Sequence, residues 1–133
     1  MISSLSPFAA SLLVALGGAA GALARYQLTR LLGWIAGPGA LLPWGTLIAN
    51  VLGSLLLGVV MGWLARSGGG EGLRLFLGVG LLGGFTTFSA FSLETVQLLG
   101  RGQVGTAMIY IAVSVVAGIA ALYFGLFAMR GAG

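Results

Sequence analysis

One short stretch of the sequence gathers the polar and aromatic side chains that could contact an ion. Residues 83–95 hold five of the fifteen Ser and Thr residues and three of the seven Phe residues. Phe88 and Phe91 are three residues apart and share a helix face, and the positive edge of a phenyl ring can contact an anion without adding a full charge. The hydroxyls of Ser89 and Ser92 lie on the same turns and can donate hydrogen bonds. Packing or lipid contact is the ordinary explanation for two Phe residues on one face, but the interleaved hydroxyls favour an anion pathway.

The same stretch predicts a broken helix. Gly83 and Gly84 are followed by Thr86 and Thr87, and this combination has a poor helix propensity. The glycines lie about 15 Å into the span, from the rise per residue of a helix, which places the break near the bilayer midplane. A break at that depth is tolerated only inside protein or beside water, and it exposes carbonyl groups that suit a cation and N–H groups that suit an anion. Where two antiparallel copies meet, these carbonyls could bind a bare monovalent cation such as sodium; a simple kink without ligands is the alternative.

Two other segments place polar groups at membrane depth. Asn50 is the only asparagine, and Thr46 precedes it by one helical turn on the same face. An amide inside a membrane needs partners, so Asn50 is predicted either to bind a neighbouring helix or to line a pathway. Tyr110 and Ser114 are four residues apart, and Gly118 continues their stripe without a hydroxyl. Hydrogen bonding between helices is the alternative function of this stripe.

Catalysis is not expected from this composition. The eight charged residues are six Arg and two Glu, and Lys, Asp, His and Cys are absent. These absences exclude thiolate and imidazole metal sites and Ser–His–Asp chemistry. Glu94 is the only acid inside a predicted span, and it lies near the end of that span, where an arginine could pair with it. A single acid offers too little acid–base chemistry for an enzyme.

The elements that must position these groups are four transmembrane helices. Hydrophobic residues make up 59% of the chain and charged residues 6%, whereas about a quarter of a soluble domain is charged. Four stretches reach the roughly 20 apolar residues that a span needs, namely residues 7–32, 43–65, 73–99 and 103–129. Ser6 and Pro7 are a predicted N-cap, and no positive charge precedes the first span, so we expect a span there and not a cleaved signal peptide. The prediction is one all-α membrane domain over residues 1–133, with its third helix broken near the midplane.

The arginines favour neither orientation of this domain in the membrane. Three lie on each predicted side, with Arg66, Arg74 and Arg130 opposite Arg25, Arg30 and Arg101. The positive-inside rule therefore gives no preference. This balance permits dual topology and hence an antiparallel homodimer with its two-fold axis in the membrane plane; the alternative is that so few arginines carry no information. Scattered arginines also lack the basic face of a nucleic-acid binder.

Two other functions fit parts of the pattern. A small multidrug transporter is also a four-span dual-topology dimer, but it needs a membrane-embedded carboxylate, and the first span has none. A structural or assembly subunit would use glycines at four-residue spacing, such as Gly17 and Gly21 or Gly58 and Gly62, for close helix packing. Neither function explains the hydroxyls and Phe residues beside a helix break.

Three motifs resemble those of the Fluc (CrcB) family of fluoride channels. They are GGFTTFSAFSLE at residues 83–94, GTLIAN ending at Asn50, and GALARY around Arg25, and their order, spacing and chain length agree with the family. The resemblance implies a dual-topology antiparallel homodimer in the inner membrane, with two pores and a sodium ion on the two-fold axis. It also implies passive, selective export of fluoride that protects a microbe from fluoride accumulation.

By position, the resemblance also implies roles for individual residues. The implied fluoride pathway consists of Phe88, Phe91, Asn50, Thr46, Ser89, Ser92, Tyr110, Ser114, Arg25 and Glu94. Within it, Arg25 would be the vestibule arginine and Glu94 the acid near the pore, and the backbone carbonyls of Gly83 and Thr86 would hold sodium. Gly118 stands where relatives are expected to carry a hydroxyl, so the far end of the polar track on the fourth span is expected to differ.

Overall fold

Four long apolar helices form the protein in the computed structural model, which describes residues 4–131. Helix α1 is Pro7–Ala36 and helix α2 is Trp44–Ser67. The third crossing is split into α3, residues 71–85, and α4, Phe88–Gly100, and the last crossing is α5, Val104–Gly131. All four crossings are long and apolar enough to span a membrane, and no strand occurs in residues 4–131. The all-α fold with four spanning helices that the sequence predicts is confirmed.

Local sequence signals set the ends of these helices. The Ser6 hydroxyl accepts a hydrogen bond from the Ala9 N–H at 3.1 Å, and Pro7 occupies the first helical position. The predicted N-cap of α1 is therefore confirmed. Helix α2 ends at Gly68, which adopts the left-handed conformation with φ 66° that a helix-terminating glycine tolerates best.

Glycines let the helix backbones approach closely at two helix–helix contacts. Where α1 meets α3, a Cβ atom added at Gly84 would lie 2.6 Å from the Gly18 carbonyl oxygen, and one added at Gly21 would overlap the Leu81 carbonyl. Where α2 meets α5, a Cβ added at Gly58 would overlap the carbonyl of Leu122. In a lipid environment, such backbone contact is a main source of helix association.

The third crossing changes its winding before it breaks. Residues Arg74–Leu82 are π-helical, and the Gly83 N–H accordingly reaches the carbonyl of Gly78, five residues earlier. One further helical turn follows, after which Thr86 (φ −88°, ψ 156°) and Thr87 (φ −148°, ψ 125°) are extended. The break thus lies in the middle of the crossing, as predicted, but at the two threonines and not at the glycine pair. Gly83 and Gly84 stay helical, and the missing side chain of Gly84 leaves room for the backbone of α1.

Hydroxyl groups stabilise both sides of this break. Thr86 Oγ1 donates to the Leu82 carbonyl at 3.0 Å at the end of α3. Thr87 Oγ1 accepts from the Ala90 N–H at 3.1 Å, so Thr87 is the N-cap of α4. The buried core of the protein lies nearby, where Leu47 of α2, Leu98 of α4 and Tyr110 of α5 pack together.

Candidate functional site

The side chain of Asn50 holds the extended backbone between α3 and α4. Asn50 Oδ1 accepts a hydrogen bond from the Thr87 N–H at 2.7 Å, and Asn50 Nδ2 donates to the Thr87 carbonyl at 2.9 Å. The amide therefore supplies both partners that the Thr87 backbone loses at the break. Of the two roles predicted for Asn50, binding to a neighbouring helix is thus observed directly. The second N–H of the amide remains for another partner.

A groove beside the break brings several predicted pathway residues together. Its volume is about 300 Å³, and its walls are Asn50, Ser54, Leu57, Thr86, Thr87, Phe88, Phe91, Ser114 and Val115. The rings of Phe88 and Phe91 lie 5.8 Å apart between centroids and are tilted by 48°. Phe88 is 78% exposed in the single subunit, so the groove is open on one side. The Ser114 hydroxyl is buried, and no described residue is its hydrogen-bond partner.

The other predicted hydroxyls of α4 do not line this groove. Ser92 donates to the Phe88 carbonyl at 2.9 Å, and Ser89 lies 3.3 Å from the Thr87 hydroxyl. Both side chains therefore already have partners within the start of α4. Asn50, Phe88, Phe91 and Ser114 thus line one groove. Ser89 and Ser92 lie outside it and form hydrogen bonds within the first turn of α4.

Glu94, Thr46 and Tyr110 form a separate hydrogen-bonded cluster next to the groove. The two carboxylate oxygens of Glu94 each accept one hydroxyl, from Thr46 at 2.7 Å and from Tyr110 at 2.7 Å. Tyr110 is fully buried, and its ring centroid lies 5.2 Å from that of Phe91, which also lines the groove. In the described part of the chain, hydroxyls from α2 and α5 and not an arginine are the partners of this carboxylate.

Arg25 reaches the carboxyl end of α3. Its Nε donates to the Gly84 carbonyl at 3.3 Å, and its side chain is half-buried. The partial negative charge at a helix C-terminus favours a cation at this position. Arg25, a residue of α1, therefore contacts the broken helix. Gly118 lies on α5, one turn beyond Ser114, and has no side chain that could contact an ion.

A second cavity opens at the end of the helices beyond Glu94. It measures about 400 Å³ and is lined by residues 38–43 together with Glu94, Gln97, Leu98, Arg101 and Gln103. No described residue forms a hydrogen bond or ion pair with the Arg101 guanidinium, whereas the other five arginines each contact a carbonyl, a side chain or a ring. This cavity is called the mouth below, and its lining contains both the unpaired Arg101 guanidinium and Glu94.

Sequence reasoning missed several of these residues. Ser54 follows Asn50 by four residues, so extending the Thr46–Asn50 stripe by one turn would have found it. The sequence marks Thr87 only by its poor helix propensity, whereas its backbone is what Asn50 binds. Arg101 carries no local signal, because only the folded loops bring it to the mouth.

Comparison with known proteins identifies relatives over nearly the whole chain. Residues 12–126 match the family described as "CrcB-like protein, Camphor Resistance (CrcB)". A "Fluoride-specific ion channel FluC" of Novosphingobium aromaticivorans is 62% identical over 122 residues, which cover 92% of this chain and 97% of the relative. Proteins of the same name from Erythrobacter litoralis and Phenylobacterium zucineum are 50% and 52% identical, covering 97% and 91% of this chain and 98% and 95% of the relatives.

Proposed function

The chain belongs to the CrcB family, and on that premise we propose that it is a fluoride-specific ion channel that lets fluoride leave the cell passively and so protects against fluoride toxicity. The relatives are named as channels, and the chain is a channel protein and not an enzyme. Its four spanning helices make it a multi-pass membrane protein, and its bacterial relatives are consistent with the inner membrane.

The observation that carries this proposal is the groove beside the break. Its polar groups are uncharged donors, an amide and hydroxyls, and two phenyl rings lie among them. Ring edges carry partial positive charge and can contact an anion. Such a surface can bind an anion briefly without trapping it, as conduction requires.

The donors of this groove suit fluoride better than larger halides. It is small and strongly hydrated, and it accepts strong hydrogen bonds. A narrow path of hydroxyls, one amide and ring edges can replace its hydration shell at close range, whereas chloride would be excluded by its diameter. In this proposal Phe88, Phe91 and Ser114 contact fluoride. The free N–H of Asn50 contacts it as well.

The remaining predicted pathway residues are assigned to the approaches. Arg25 attracts the anion in the vestibule, and Glu94 orders the hydroxyls of Thr46 and Tyr110 at the other end of the ring pair. The carboxylate lies in the interior of the third crossing, whereas Glu71, the other acid, lies at its first residue, so the two hydroxyl partners of Glu94 limit the repulsion of fluoride. Ser89 contributes to the pathway through its hydroxyl, which contacts the Thr87 hydroxyl beside the break.

A second subunit in antiparallel orientation would complete the pathway. Phe88 is 78% exposed, and a polar groove that faced lipid would leave its hydroxyls without partners at a cost of several kcal/mol. A two-fold axis in the membrane plane would bring two such grooves together, and the three-to-three arginine balance permits both orientations of the chain. We therefore propose a dual-topology homodimer.

Sodium is proposed on the axis of this dimer, bound by the Gly83 and Thr86 carbonyls. These residues fit the ion, because no described residue donates a hydrogen bond to either carbonyl oxygen, while the neighbouring Gly84 carbonyl is taken by Arg25. Carbonyls at the end of a half-helix carry partial negative charge and suit a cation. When bound, the ion would join the breaks of the two subunits as a structural element.

A small multidrug-type transporter, the alternative function, is not favoured. Both oxygens of the Glu94 carboxylate are hydrogen-bonded, and α1 contains no acid that could exchange a proton for a cationic drug. The family match also points to a channel.

Fluoride efflux from liposomes tests the proposal. Purified protein is reconstituted with fluoride inside, and release is followed with a fluoride-selective electrode. The Phe88→Ile and Asn50→Asp variants should lose at least about ten-fold in rate, equivalent to ~1.4 kcal/mol. Leu93→Ile is the matched control, since Leu93 is 59% exposed on the same helix. Unchanged efflux in both site variants would refute the assignment of these residues.

A further inference from the structure

The hydroxyl groups of the membrane helices differ in whether they already have a hydrogen-bond partner. Ser and Thr in helices commonly donate to the carbonyl four residues earlier. Four side chains do so at 2.8–3.0 Å, namely Ser11, Thr86, Ser92 and Thr95. A few helical hydroxyls have no hydrogen bond to another described residue, and among them Ser54 and Ser114 line the groove, whereas Ser67 and Thr106 do not; the Ser114 hydroxyl is also buried. These two hydroxyls are therefore available to a ligand.

Both available hydroxyls lie in the same groove. Ser54 comes from α2, one turn after Asn50, and Ser114 comes from α5. They line the groove together with the rings of Phe88 and Phe91. A hydroxyl at membrane depth that has no protein partner is costly unless water or a ligand satisfies it.

Ser54 also faces a gap in the polar stripe of α5. Tyr110, Ser114 and Gly118 are spaced four apart, and the last of them has no side chain. A Cβ atom added at Gly118 would lie 3.8 Å from the Ser54 hydroxyl oxygen, which is ordinary van der Waals contact. The hydroxyl of α2 therefore occupies the space next to the position where α5 offers no donor.

We propose that Ser54 is a further fluoride-contacting residue, whose hydroxyl supplies from α2 the donor that α5 lacks at Gly118. Fluoride that leaves Asn50, the phenyl rings and Ser114 would next accept a hydrogen bond from Ser54. The inference rests on the proposed fluoride channel, and it adds the residue that continues the path beyond the break. Ser92, although it lies closer to the rings along the chain, cannot take this role while it donates to its own helix.

Fluoride efflux from liposomes tests whether Ser54 donates a hydrogen bond to fluoride or only packs between the helices. Ser54→Ala should lower the rate about ten-fold, the effect of losing one hydrogen bond to a charged group. Ser11→Ala is the matched control, because Ser11 donates to the Pro7 carbonyl on α1, outside the groove, and its rate should equal that of the wild type. Adding Gly118→Ser to Ser54→Ala returns a hydroxyl to the same space and should restore the rate to within about three-fold of the wild type.

The possible results distinguish a failure of the Ser54 assignment from a failure of the proposed channel. A Ser54→Ala protein that conducts like the wild type would overturn the inference, as would a slow Ser54→Ala protein that Gly118→Ser does not restore. Alanine is favourable in a helix; if Ser54→Ala nevertheless fails to insert, Ser54→Cys, with its weak donor, should show reduced efflux, and wild-type efflux would again overturn the inference. Absence of efflux from the wild type would instead refute the proposed channel itself.

Discussion

Replacement of Asn50 by leucine should loosen the break between α3 and α4 and lower the thermal stability of the protein. Leucine has a similar size but offers no hydrogen bond, so the Thr87 N–H and carbonyl both lose their partner. An orphaned buried backbone group costs ~1–3 kcal/mol, and because Thr87 is only half-buried we take ~1.5 kcal/mol for each of the two groups. The expected loss is about 3 kcal/mol, which lowers the Tm by about 6–12 °C.

Two measurements on detergent-solubilised protein check this prediction. Thermal unfolding gives the change in Tm, and amide hydrogen exchange reports on the Thr87 N–H, whose protection should fall in Asn50→Leu. Ile48→Leu on the exposed side of α2 is the control and should leave both unchanged. If Asn50→Leu abolished fluoride efflux with an unchanged Tm and unchanged exchange at Thr87, the amide would act on the ion alone, and its proposed role in holding the break would be refuted.

Three further substitutions test other parts of the structure. Gly21→Ala should lower the Tm, since its Cβ would overlap α3, whereas Gly33→Ala has open space around it and should be neutral or stabilising by up to ~1 kcal/mol; equal Tm values for the two variants would contradict the close packing of α1. Arg101→Gln at the mouth should slow efflux about two- to three-fold at ~10 mM salt, because a unit charge that passes within about 7–10 Å of an anion in water contributes ~0.4–0.6 kcal/mol. The effect should vanish at ~1 M salt, where screening is nearly complete, and Arg30→Gln, a substitution outside the mouth, is the control. Tyr110→Phe removes one of the two hydroxyl donors to the half-buried Glu94 carboxylate and should destabilise the protein by ~1.5 kcal/mol in thermal unfolding, so a wild-type Tm would show that this bond contributes nothing.

The sequence predicts the helices and the polar and aromatic stretch at residues 83–95 well, because their signals are local. The apolar stretches, the Ser6–Pro7 cap and the spacing of Phe88 and Phe91 all follow from residues that are close in the chain. The position of the break depends on a contact between residues that are far apart in the chain. Thr86 and Thr87 are extended because Asn50, a residue of another helix, satisfies the Thr87 backbone.

Long-range contacts also decide which polar side chains are available to an ion. Glu94 is taken by hydroxyls from α2 and α5, so its charge could not be assigned to a partner from the sequence of α4 alone. Ser92 and Ser114 look alike in the sequence, yet Ser92 donates to its own helix while Ser114 has no described partner. Only the packed structure separates the two.

The most direct test of the account is ion-selective efflux from liposomes that contain the purified wild-type protein. With a fluoride gradient and an ionophore that carries the counter-cation, the protein should release fluoride, and under the same gradient it should retain chloride. Release of both ions at similar rates, or of neither, would contradict the proposal that the groove between Asn50, the phenyl rings and the free hydroxyls selects fluoride.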